Sequence, residues 1–302
     1  MSSPSANAPF LILGGTGTVG SRVATVLEST GNQALVTSRS IGSGDDSDSE
    51  NRVKFDWFDK STYANAFSHP LAVAAGGIRG VFLVAPPSTD MVNDMKAIID
   101  LSRSKGTRRF VLLSSTLIEK GNPILTGQIH EYLDQLGAAG EVEWAVLRPS
   151  WFMSNFVLHK PRREVSEDGV IIYSATGQGR IPFVAPEDIA ESAAKLLASP
   201  EPPNDEYCIL GPESLTYGEV AGILAQVLQK PVVHKNVTEG EMVGRFQASG
   251  IPEEYSKALG RMETLIKGGA EDRTGGAVLA LTGRPPKAFK DWAEGYKAEL
   301  LA

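Results

Sequence analysis

The chain has 302 residues, 42% of them hydrophobic and 22% charged, with a formal net charge of −7 and one cysteine, Cys208. That length supports one large core, or a large domain with a smaller companion. An acidic balance gives no basic footprint for nucleic acid or an anionic membrane, no apolar run nears the roughly 18 residues of a spanning helix, and a lone cysteine excludes an intrachain disulfide.

The first nine residues are small and polar, without the charged-then-apolar layout of a secretory leader. The four histidines are scattered, not grouped as metal ligands. Together these features lead us to expect a cytosolic, metal-free protein. An apolar run, Phe10-Leu11-Ile12-Leu13, then stops at Gly14-Gly15-Thr16-Gly17-Thr18-Val19-Gly20. Three glycines spaced three apart after a strand-like run, with a helix-like run following, predict a tight turn into a helix N-terminus. The free N–H groups there suit a diphosphate, so Gly14, Thr16, Gly17, Thr18 and Val19 are candidate dinucleotide contacts. Glycine is required where a side chain would block backbone from phosphate, or helix from strand.

Val19, Val23, Val26 and Leu27 mark one face of a helix ending near Gly31. The next run, Gln33-Ala34-Leu35-Val36-Thr37-Ser38, reads as a second strand and leads into Arg39 and Ser40. Proteins that use NAD place a carboxylate near this strand end for the ribose 2′-hydroxyl. A cation flanked by two hydroxyls suits a 2′-phosphate instead, through charge-assisted bonds of roughly 1.5–3 kcal/mol each. Ser38, Arg39 and Ser40 therefore predict NADPH. Residues 42–50 are rich in Gly, Ser and Asp and read as a flexible surface loop.

A third strand over residues 52–56 ends at Asp56-Trp57, where the carboxylate can accept from the adenine amino group or cap the next helix. A fourth, Gly80-Val81-Phe82-Leu83-Val84-Ala85, runs into Pro86-Pro87, and its carboxyl end (Ala85, Pro86) should lie beside the cofactor. After a helix over 91–105, Arg109-Phe110-Val111-Leu112-Leu113-Ser114-Ser115-Thr116 is a buried strand ending in three hydroxyls. Trp144-Ala145-Val146-Leu147-Arg148-Pro149 is a sixth strand. Alternating strands and helices at this rhythm predict an α/β doubly wound parallel sheet, the Rossmann arrangement, over residues 1–150.

From residue 151 the pattern loosens. Trp151, Phe152, Met153, Asn155 and Phe156 form a dense cluster after the last sheet strand, residues 162–168 are charged, and 171–182 read as a strand, a Gly-rich turn and a return. Pro186 opens another helix, and Cys208 sits in a strand-like run where a buried, inert thiol is expected. Residues 151–302 are read mainly as a smaller substrate-binding cap, interleaved with segments that return to the cofactor domain.

Taken with the glycine loop, Ser38-Arg39-Ser40, Phe55-Asp56-Trp57 and the Ser-Ser-Thr, the run Leu147-Arg148-Pro149-Ser150-Trp151-Phe152-Met153 resembles the NmrA-like branch of atypical short-chain dehydrogenases. His130-Glu131-Tyr132-Leu133, Gly177-Gln178-Gly179-Arg180-Ile181-Pro182-Phe183-Val184 and Thr282-Gly283-Arg284-Pro285-Pro286 extend the likeness to fungal ergot-alkaloid reductases of the festuclavine and agroclavine dehydrogenase type. The resemblance implies an NADPH-linked enzyme of alkaloid secondary metabolism acting on a small iminium-type substrate. The cofactor would reach from the glycine loop past Ser114 to Pro149 and Trp151.

Ordinary short-chain dehydrogenases use a Tyr-x-x-x-Lys pair for proton transfer, and no tyrosine here has lysine at that spacing. Three readings stay open: a nucleotide sensor without turnover, an improvised acid drawn from His130, Glu131 or Tyr132, or a substrate that needs no acid. For His130 a plain helix-surface position is the simpler reading. A ketone becomes an alkoxide as hydride arrives and needs a proton or oxyanion donor, whereas an iminium becomes a neutral amine. Ser115 and Thr116 are then candidates to steady the nicotinamide or a substrate N–H. Trp151, Phe152, Asn155 and Phe156 are candidates to hold a flat indole-like cation by stacking and cation–π attraction, with core packing as the competing use of each aromatic. The same pocket would also serve a non-redox, NADPH-bound cyclase acting on the iminium electrophile.

Overall fold

Short apolar runs punctuated by Gly and Pro form the central strands of this protein, and helices with one apolar stripe follow most of them. The computed structural model describes residues 4–40, 50–86, 90–123, 125–158 and 162–302. The loop expected over 42–50 falls outside these residues except for Glu50, as does Pro87. The strands are β1 (Phe10–Ile12), β2 (Ala34–Ser38), β3 (Arg52–Lys54), β4 (Gly80–Val84), β5 (Arg109–Leu113), β6 (Glu143–Pro149), β7 (Arg163–Ser166), β8 (Gly169–Ser174), β9 (Asp205–Ile209) and β10 (Val232–Asn236). The helices are α1 (Gly20–Ser29), α2 (Asn65–Ser68), α3 (Pro70–Ala74), α4 (Met91–Ser104), α5 (Gly127–Ala138), α6 (Asn155–Leu158), α7 (Pro186–Ala198), α8 (Tyr217–Leu228), α9 (Glu239–Ala248), α10 (Glu253–Lys267), α11 (Ala277–Thr282), α12 (Phe289–Gly295) and α13 (Lys297–Leu301).

The chain divides into two units, Met1–Arg148 with Ile189–Tyr207, and Pro149–Asp188 with Cys208–Ala302. The first is built on a seven-stranded sheet in the order β3-β2-β1-β4-β5-β6-β9. The contacts of β1 with β2 and β4, of β2 with β3, and of β5 with β4 and β6 are all parallel. Strand order reverses at β1, which lies between β2 and β4. A reversal of this kind is where open α/β sheets bind ligands, outside the carboxyl ends of the strands. Leu11, Leu35, Val81, Leu83, Phe110 and Leu112 are fully buried in the core on one face. Arg109, at the start of β5, pairs with Glu143 at 2.6 Å and donates to the carbonyls of Leu196, Leu197, Ser199 and Glu201. It thereby ties the C-terminal end of α7 to the sheet.

The second unit holds a three-stranded sheet, β10-β8-β7, with β8 parallel to β10 and antiparallel to β7. Capping boxes, Thr216 with Glu219 and Thr238 with Glu241, start α8 and α9. The charged run 162–168 is therefore a strand and its turn, and the partner of β8 precedes it. The return expected before Pro182 is replaced by a turn and an isolated bridge from Ile181 to Leu215. Cys208 is half-buried, not enclosed as expected. Among the described residues no helix is long and apolar enough to cross a membrane.

Candidate functional site

In the first unit, five predicted stretches follow the carboxyl ends of neighbouring strands and so share one edge of the sheet: residues 14–19 after β1, 38–40 at β2, 56 after β3, 85–86 after β4, and 114–116 after β5. The turn after β1 is built from backbone. Gly14 has φ +64°, a left-handed conformation that disfavours any side chain. A Cβ on Gly20 would run into the Gly14 carbonyl oxygen and lie 2.8 Å from its carbon. Only glycine lets α1 start this close to the turn.

Hydrogen bonding completes the turn. The Gly17 amide donates to Gly14 O at 2.9 Å, the Ser21 hydroxyl to Gly17 O at 2.8 Å, and Arg22 to Thr18 O at 2.7 Å. Loop acceptors are thus used internally. Helix α1 has no side-chain cap and no acidic residue in its first turn, unlike α8 and α9, and a helix N-terminus of this kind favours negative charge. Thr37, which the sequence reading passed over, donates to Ile12 O at 2.9 Å and locks the end of β1 to β2.

At the end of β2, Ser38 is buried and its hydroxyl donates to Ser40 O at 2.9 Å, shaping the bend that leaves Arg39 and Ser40 exposed. Asp56 is half-buried, and its Oδ1 accepts from the Phe58 amide at 3.0 Å; the next helical turn, Lys60–Thr62, is capped instead by Asp59. Ala85 is half-buried and Pro86 buried. The Ser114 hydroxyl lies 2.7 Å from that of Thr126. Ser115 Oγ accepts from the Leu117 amide, and Thr116 is buried.

Arg148, quoted in the sequence motif without a role, organises this last loop. It is 3% exposed. It donates to the carbonyls of Ser115 (3.4 Å) and Thr116 (2.8 Å), to Glu119 (2.6 Å), and to both carboxylate oxygens of Glu206 on β9 (2.9 and 3.0 Å). An arginine in an otherwise apolar buried strand must find such partners, and that was the available signal.

Two candidate acids move. His130 is 1% exposed, not on the helix surface. It shares a stripe of α5 with Leu133 and Gly137, and that stripe packs on Trp144, whose indole would collide with any Cβ at Gly137. Its Nε2 lies 3.5 Å from Glu206, its Nδ1 has no partner, and burial lowers its pKa against the opposing pull of Glu206. Tyr132 donates to Asp100 of α4 at 2.5 Å, and burial followed by that contact raises its pKa, the reverse of an activated tyrosine.

In the second unit, Pro149 is buried, and Trp151, Phe152 and Asn155 are half-buried. Backbone bonds between Trp151 O and the Val184 amide, and between the Met153 amide and Val184 O, fix this segment. Phe156 is 1% exposed, packed edge-on against Phe183 and Phe289 and tilted against Tyr217. It is core, not pocket wall, because the aromatic partners that enclose it come from segments up to α12. Trp151 already carries a cation: the Arg162 guanidinium lies 4.5 Å from its ring centroid. Arg162 is 2% exposed and also bonds Tyr217 at 3.0 Å and Glu263 at 2.6 Å.

The family model of the NmrA-like family matches residues 7–274. Festuclavine synthase II of Penicillium roqueforti is 40% identical over 289 residues, covering 95% of this chain and 98% of the relative. Agroclavine dehydrogenase of Claviceps purpurea is 36% identical, covering 97% and 98%. Among solved structures, the Citrobacter triphenylmethane reductase complexed with NADP(H) aligns with TM-score 0.71 at 18% identity, covering 95% of this chain and 98% of that one. The Escherichia coli NADPH-dependent quinone oxidoreductase complexed with NADPH gives 0.72 at 17% identity, with the same coverage. These two structural likenesses speak to the fold.

Proposed function

The chain belongs to the NmrA-like family, and from that premise we propose that it is an NADPH-dependent oxidoreductase reducing an imine or iminium intermediate of indole-alkaloid metabolism. The names of the relatives, festuclavine synthase and agroclavine dehydrogenase, support the alkaloid class. The glycine cradle, the uncapped start of α1 and the exposed Arg39 support a dinucleotide with a 2′-phosphate.

One observation carries the choice of substrate chemistry. Of the three candidate acids, two are withdrawn, the Tyr132 hydroxyl held by Asp100 and His130 buried beside Glu206, and the third, Glu131, is an exposed carboxylate on α5. NADPH, when bound, would supply a hydride; hydride added to an iminium carbon gives a neutral amine without a protein acid, and an imine would first take a proton from solvent to become that iminium. The chain's own task is then placement, which recovers about 7–11 kcal/mol of barrier when reactants are well oriented. Residues 14–20 hold the diphosphate, Ser38, Arg39 and Ser40 hold the 2′-phosphate, and the loop fixed by Arg148 presents Ser115 beside the nicotinamide. Trp151 and Phe152 offer flat apolar surface to the substrate.

The test is NADPH absorbance during incubation with a panel of indole-derived iminium compounds. Oxidation of one equivalent of NADPH per amine formed is the expected result. Failure of every compound to consume NADPH would refute the reading, and product formed without NADPH consumption would move the assignment to non-redox ring closure.

A further inference from the structure

We propose that Lys54 is a second cation for the 2′-phosphate, working beside Arg39 to select NADPH over NADH. The inference rests on the cofactor reading above and adds a residue from a different strand. Side chains along a strand alternate between faces, and residues paired across neighbouring strands share a face. Val36 pairs with Arg52, and Ser38 with Lys54, so these four project from the same side of the sheet.

The glycine turn identifies that side. A Cβ on Gly15 would lie 2.6 Å from Val36 Cγ1, which puts the turn backbone against the Val36 face. Val53 and Phe55, the residues flanking Lys54, are each 4% exposed and sit in the core of the opposite face. Lys54 therefore rises on the side that carries the glycine turn. It stands opposite the last residue of β2, one position before Arg39, and is exposed.

Strand β3 ends the sheet, so nothing beyond it in the sheet competes for this face. Among the described residues no carboxylate forms an ion pair with Lys54. Asp59, which feels its charge, is already bonded to the amide and hydroxyl of Ser61. A nucleotide whose diphosphate rests on the turn and whose ribose crosses β2 brings its 2′-position between Arg39 and Lys54. A phosphate there meets two cations from adjacent strands, and a bare hydroxyl gains nothing from the second. The rival use of Lys54 is to deter edge-to-edge strand pairing, which would be indifferent to the nucleotide.

Calorimetric titration of the full chain with NADPH, NADH, 2′,5′-ADP and 5′-AMP separates the two uses. Lys54→Met should weaken NADPH and 2′,5′-ADP by roughly five- to ten-fold while NADH and 5′-AMP stay within about two-fold, and Lys54→Arg should restore most of the loss. Equal effects on phosphorylated and unphosphorylated ligands, or none, would overturn the role of Lys54. If Arg39→Met lowers the preference and Lys54→Met does not, the cofactor reading stands and this inference alone falls. A native chain with no preference for NADPH would overturn both.

Discussion

Adding one methyl group at Gly20 tests whether the turn after β1 is the diphosphate site. In Gly20→Ala the new Cβ meets the Gly14 carbonyl oxygen, lies 2.8 Å from its carbon, and lies 3.1 Å from Gly15 Cα. All three are backbone atoms, so no rotamer relieves them. Helix α1 cannot back away freely, because Val23 and Leu27 are fully buried and Ala24 is 5% exposed. The turn must give instead, at a cost of about 1–3 kcal/mol by analogy with overpacked cores. A displaced turn also mis-aims its amides. Loss of a single charge-assisted contact, about 1.5–3 kcal/mol, lowers affinity ten-fold or more. Calorimetry with NADPH should show that loss, and urea denaturation the stability change. Gly222→Ala is the control: Gly222 is an exposed position within α8 where a Cβ meets nothing within 4 Å, so it should stabilise by about 0.5–1 kcal/mol without touching affinity. Gly20→Ala that binds NADPH as tightly as the native chain would refute the placement.

Arg162→Met should destabilise the second unit by about 3–5 kcal/mol, because it strands the fully buried carboxylate of Glu263; adding Glu263→Gln should recover much of this, and urea curves showing no recovery would show that the pair's charge is not the cause. Burial holds His130 neutral when folded, below its ordinary 6.5, despite Glu206 and Asp134 and with Arg148 and Lys120 assisting. Its contribution is therefore full above about pH 6.5 and lost as pH falls, at no more than about 1.4 kcal/mol per pH unit for one site. His234 shifts the same way through burial and adds to the slope. His130→Gln should flatten the fall in urea stability between pH 7.5 and 5.5, and an unchanged slope would exclude His130 as a source.

What could be read from the sequence was local. The strands at 34–38, 80–84 and 109–113, the glycine turn and the hydroxyl-flanked Arg39 are contiguous patterns whose meaning depends on a few neighbours. The misreadings depend on partners far along the chain. Arg162 looked like one charge in a polar run, yet it is buried because Glu263, Tyr217 and Phe246 converge on it. For Phe156 the sequence left pocket wall and core packing both open, and Phe183, Tyr217 and Phe289, which close over it, come from far along the chain. His130 carried a readable clue, its three- and seven-residue spacing from Leu133 and Gly137. That Arg148 needs buried partners was readable from its apolar strand, but not that one of them is Glu206, which β9 brings beside β6.

The chain leaves the first unit after Arg148, re-enters it at Ile189 and leaves again after Tyr207. During synthesis this order has a consequence for the nascent protein. When residue 149 has emerged, β6 is the outermost strand of the sheet, with a bare hydrogen-bonding edge of the kind that recruits other chains. The strand that covers it, β9, is still unmade, as are the carbonyls that engage Arg109 and Glu206, one of the two carboxylates that engage Arg148. At ordinary ribosomal speeds the gap lasts roughly 3–12 seconds. A fragment cut near residue 150 would stay in that state permanently, as a sheet with an adhesive margin, so trimming the C-terminus back to that point should give an aggregation-prone product.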